Sequence, residues 1–141
     1  MRRPTARAVS RIGHAVALGI GAFVAWQTYD LMSSCGRAPC DPHGYAIVFG
    51  AIFLLILLPI LALGILGYAR AWPRGRSVPL ELFDVSTLLL TAIFLQSAVE
   101  SMVQPGPRDL SYLPGVAVTV LYMALLVGAF VAGRRAASSP G

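Results

Sequence analysis

Few residues of this chain could do chemistry, and the densest group is Gln96, Ser97, Glu100 and Gln104. Gln96, Glu100 and Gln104 recur every four residues, which places them on one helix face with Ser97 at its border. A carboxylate flanked by amides can bind a proton, a cation or a polar headgroup. An ionisable side chain inside an apolar span costs about 3 kcal/mol even on lenient insertion scales, so it usually faces protein or water. A plainer reading competes with this one. Glu100 lies only a turn from the end of its segment, where it could reach the interface or pair with Arg108 or Arg37.

The other candidates are more dispersed. Cys35 and Cys40, in the run CGRAPC, have the spacing of a small disulfide loop in an oxidising compartment. A redox relay would fit better with C-x-x-C and a second cysteine pair, and neither is present. With Asp41 and His43 these cysteines could offer four ligands, but not at the spacings of ordinary metal sites, so no metal is expected. His14 could ligate a haem or pigment only if it faced a pocket, and no second histidine lies in a span. The simpler expectation is an interfacial imidazole bonded to a neighbour or to lipid. Asp84 and Glu81 open the third apolar segment, where carboxylates favour the helix N-terminus and can pair with nearby arginines. Asp30 falls at the outer end of the first segment and is expected to be interfacial.

These residues must be positioned by very apolar elements. Of the 141 residues, 57% are hydrophobic and 12% charged, and the mean hydropathy is +0.73. A soluble domain needs a more charged surface than that. The pattern predicts an all-α membrane protein, a single domain over 1–141 with four transmembrane helices. The expected spans are about 12–32, 45–69, 82–103 and 113–133. The first follows a basic N-terminal tail and is read as retained, because the apolar segment is long and no small-residue cleavage site convincingly precedes Trp26. The third, from Glu81 to Gln104, is the most polar and is expected to be packed round by the other three.

Details of the spans follow from the same logic. Pro59 falls in the middle of the second and is expected to kink it. Pro114 stands at the start of the fourth, where a missing N–H costs nothing. Small residues at helical spacing occur in the first span, at Ala15 and Gly19 and at Ala17, Gly21 and Ala25. Ala124, Gly128 and Ala132 repeat the pattern in the fourth, and such stripes let helices approach closely in lipid.

All 11 basic residues are arginine. Nine lie before the first span, between the second and third, or after the fourth, and only Arg37 and Arg108 fall in the other two loops. That asymmetry predicts an up-down-up-down, N-in/C-in arrangement in the cytoplasmic (inner) membrane. It also accounts for the net charge of +5 without nucleic acid. The complete absence of lysine suggests a GC-rich, bacterial genome. Sliding the chain by 70 residues lays the first span on the third, with His14 over Asp84, Leu18 over Leu88, Ala22 over Ala92 and Met32 over Met102. A duplicated hairpin is one explanation, although two apolar helices share such identities by chance.

No phosphate-binding loop, H-E-x-x-H motif or Ser–His–Asp set occurs, so no enzyme activity and no cofactor are expected. The favoured expectation is a non-catalytic accessory subunit, held in the bilayer against other membrane subunits or by self-association. The first alternative is a small oligomeric transporter or channel using Glu100. The second is a cofactor- or quinone-associated electron-transfer subunit using His14.

Overall fold

The structure, a computed structural model, describes residues 3–35, 44–74, 77–103 and 113–138. Four helices account for nearly all of them: α1 (Arg3–Cys35), α2 (Tyr45–Arg74), α3 (Val78–Val103) and α4 (Leu113–Ser138). The shortest have 26 residues, or about 39 Å of helix against a hydrocarbon core of about 30 Å. All four are long and apolar enough to cross a membrane. Three of them carry proline as their second residue, Pro4, Pro79 and Pro114. There the absent N–H has no intrahelical partner to lose. α2 continues unbroken through Pro59, whose ring lies on the exposed face.

The helices overrun the apolar segments at the end of the bundle that carries both termini. α1 begins at Arg3 rather than near Ile12, and α4 continues to Ser138. Apolarity ends where lipid ends, but alanine and arginine are strong helix formers and prolong the helices. Packing holds these extensions, since Ala6, Ser10, Ala132 and Ala136 are all buried. α2 likewise runs on to Arg74. The Arg11 guanidinium donates to the Trp72 carbonyl and lies 4.4 Å from the centre of the Trp72 ring.

The helices form a closed ring in which each packs against the next and α1 also meets α4, with α3 and α4 the most sparsely packed neighbours. Sequential neighbours are antiparallel. Gly21 lies under Leu61 and Gly50 against Met32, and Phe53 meets the edge of Phe94 at 5.4 Å. In lipid, close packing drives helix association more than hydrophobicity does. A Cβ on Gly13 would stand 2.6 Å from that of Ala129, and one on Gly67 would strike the Leu80 backbone. The expected small-residue stripes divide by role. Ala17, Gly21 and Ala25 are buried inside the bundle, while Ala15, Gly19, Ala124 and Gly128 face outward. Large apolar side chains also cover the outside, with Leu55 74% and Leu121 70% exposed, as expected of a surface meant for lipid.

Burial repeats along the chain. Ser10, Gly13, His14 and Ala17 of α1 are buried, and so are Leu80, Phe83, Asp84 and Thr87 of α3, each 70 residues later. Leu61, Gly64, Gly67 and Ala71 of α2 correspond in the same way to Leu126, Ala129, Ala132 and Ala136 of α4, each 65 residues later. The bundle is therefore two helical hairpins packed in equivalent fashion, with α1 and α3 diagonal to each other.

Candidate functional site

The buried face of α1 carries a histidine, and the equivalent face of α3 carries an aspartate. His14 is 2% and Asp84 2% exposed. His14 Nε2 lies 3.0 Å from Asp84 Oδ2. On the other side of the ring, Nδ1 lies 2.7 Å from the Ser10 carbonyl oxygen and 3.3 Å from Ser10 Oγ. Both residues fall within segments long and apolar enough to cross a membrane.

The hydrogen positions follow from the partners. A carbonyl oxygen only accepts, so Nδ1 carries a proton and donates it to Ser10. One further proton then lies between Nε2 and Oδ2. It makes either an imidazolium facing a carboxylate or a neutral imidazole facing a carboxylic acid, and both forms are neutral overall. Losing that proton would leave a buried negative charge facing a lone pair, so the pair is built to hold one proton between two helices.

Two buried oxygens beside it have no hydrogen-bond partner among the described residues, Asp84 Oδ1 and Thr87 Oγ1, one turn further along α3. Toward the end of the bundle that carries the termini, two crevices of about 20 Å³ each reach the pair. That is room for a single water. Arg7, Arg11, Ser10 and His14 line one, and Asp84, Glu81, Ser77 and Arg134 line part of the other. The shared proton therefore sits behind a water-sized passage lined with charged side chains.

Other residues picked out in the sequence lie elsewhere. Gln96 Nε2 donates to Glu100 Oε1 at 2.9 Å, and Gln96, Ser97 and Glu100 are all exposed near the opposite end of α3. Gln104 lies outside the described residues, as do Cys40, Asp41 and His43, so the expected Cys35–Cys40 disulfide does too. The structure corrects one expectation. Asp84 does not serve chiefly as a dipole-compensating carboxylate beside the loop arginines, because burial turns it inward to His14. His14 is buried and bonded to its neighbours Asp84 and Ser10, and with both nitrogens engaged it has none free to ligate a haem iron. The alignment of His14 with Asp84 at a shift of 70 was the one sequence signal that joined them. The chain matches no known family model, no curated protein and no solved structure.

Proposed function

We propose that the protein is a small proton-linked membrane transporter with the His14–Asp84 pair as its working element. The observation that carries this reading is the buried pair itself, His14 Nε2 and Asp84 Oδ2 3.0 Å apart between two diagonal helices. Intramembrane ionisable groups are costly and commonly mark ion or proton pathways. The arginine distribution supports four crossings of the cytoplasmic membrane, up-down-up-down, with both termini in the cytoplasm. In that orientation the water-sized crevices open to the cytoplasm. Gln96 and Glu100 are then a second polar station toward the outer face, about 18 and 24 Å away along α3.

The test uses proteoliposomes with a trapped pH dye, exposed to a panel of small amines and phenols. A solute-dependent pH change is expected with the wild type and lost in Asp84→Asn. If no solute moves protons through a folded wild-type protein, the transporter reading is wrong. The accessory-subunit reading is then the better one. It rests on the outward-facing Ala15, Gly19, Ala124 and Gly128, which leave room for a neighbouring helix. Capture of larger membrane proteins through a C-terminal tag would support it.

A further inference from the structure

One turn of α3 beyond Asp84, on the side away from the crevices, lies a cavity of about 260 Å³ lined by all four helices. A cavity of roughly 150 Å³ accepts benzene, so this one has space for a bicyclic ring. Its wall is mostly apolar, with Leu57, Phe94 and Val118 among the lining residues. It lies partly between α3 and α4, the most sparsely packed neighbours. Phe94 and Val118 on that side are 52% and 63% exposed, so the cavity opens on the apolar outer surface of the bundle.

Four hydroxyls line it, and their proton positions decide what it selects. Thr91 Oγ1 donates to the Thr87 carbonyl at 2.6 Å, Thr119 Oγ1 to the Gly115 carbonyl at 2.8 Å, and Tyr122 Oη to the Ala17 carbonyl at 3.2 Å. With their protons committed to backbone, these three can only accept from a ligand. The fourth, Thr87, is 5% exposed, and its hydroxyl has no partner among the described residues, so it can accept or donate. One turn away, Asp84 Oδ1 is another buried acceptor without a partner. The cavity wall thus offers three hydroxyls that can only accept, against the single uncommitted proton of Thr87. We propose that this cavity binds a ring-sized apolar molecule carrying a hydrogen-bond donor, a hydroxyl or an ammonium, with the donor held among the hydroxyls of Thr87, Thr91 and Tyr122, one turn of α3 from Asp84.

The inference names a ligand class for the proposed transporter and rests on that reading. Binding is nevertheless measured apart from proton movement, so either can fail alone. The probes are 2-naphthol, 2-(aminomethyl)naphthalene, naphthalene and 2-methoxynaphthalene, read by naphthyl fluorescence on the purified full chain in detergent. The two donor-bearing probes are expected to bind five- to tenfold more tightly than the two without a donor. Thr91→Leu, which fills the chamber, should abolish this binding. Thr87→Val, which keeps the shape and removes the hydroxyl, should erase the preference and leave weak binding of all four. An ammonium preference that disappears in Asp84→Asn identifies an amine ligand, and a naphthol preference that survives identifies a neutral hydroxyl ligand. Equal affinity for all four probes, or binding unmoved by both Thr87→Val and Thr91→Leu, overturns the proposal. Binding that persists when Asp84→Asn has no effect on proton movement keeps the ligand site and removes the transport reading.

Discussion

His14 and Asp84 stand 70 residues apart in the chain and 3.0 Å apart in the bundle, on equivalent faces of the two diagonal helices. Few other polar side-chain contacts join separate helices among the described residues, so the pair is also a structural tie. Breaking it from one side should cost more than removing it whole. His14→Leu is expected to destabilise the protein by about 3 kcal/mol, because it strands a buried carboxyl. The double variant His14→Leu/Asp84→Leu should recover most of that loss. Thermal unfolding in detergent, read as a double-mutant cycle, checks this, and additive losses would mean that the two groups do not interact.

The protonation of His14 makes a separate prediction. The chain has only two histidines, so nitrogen NMR of histidine-labelled protein, compared with His43→Ala, assigns the ring directly. Nδ1 should remain protonated throughout the folded pH range because the Ser10 carbonyl requires a donor. The Nε2 signal should change in Asp84→Asn. A ring that titrates freely, with no response to Asp84→Asn, would contradict the geometry.

Thr87 behaves unlike an ordinary threonine in a helix, because its buried hydroxyl does not bond back to the preceding turn as those of Thr91 and Thr119 do. Replacing it with valine removes an unpaired polar group of nearly the same shape. Thr87→Val is therefore expected to leave stability within about 0.5 kcal/mol of wild type or to raise it by up to about 1 kcal/mol. A loss of more than about 1 kcal/mol would show that the hydroxyl already has a bonding partner.

The glycines separate internal packing from the outer surface. Gly67 faces the Leu80 backbone, which cannot rotate out of the way, so Gly67→Ala should cost about 1–3 kcal/mol and loosen α2 from α3. Gly128 has open space around it, and Gly128→Ala should be neutral or slightly stabilising through helix propensity. If Gly128→Leu leaves the bundle folded but releases larger proteins from a pull-down, that face is the contact an accessory subunit would use.

The four helices were legible in the sequence because lipid imposes a crude requirement. About 20 apolar residues in a row satisfy it, and four such runs stand out between loops broken by Gly, Pro and Arg. The helix ends were less legible, since hydropathy registers the edge of the bilayer while Ala6, Ala136 and Arg11 extend the helices by packing beyond it. Glu100 drew attention because a charge is conspicuous when read along one segment. The position of His14 opposite Asp84 depends on how α1 and α3 rotate about their axes, and that rotation is set by contacts such as Gly13 on Ala129 and Gly67 on Leu80. The sequence alone determined four helices long and apolar enough to span a membrane, while its identities at a shift of 70 were no more than two apolar helices share by chance. Only the tertiary structure decided that two unremarkable polar residues near the span boundaries meet as a buried hydrogen-bonded pair. Helix rotation and register arise from packing between segments, and no single segment encodes them.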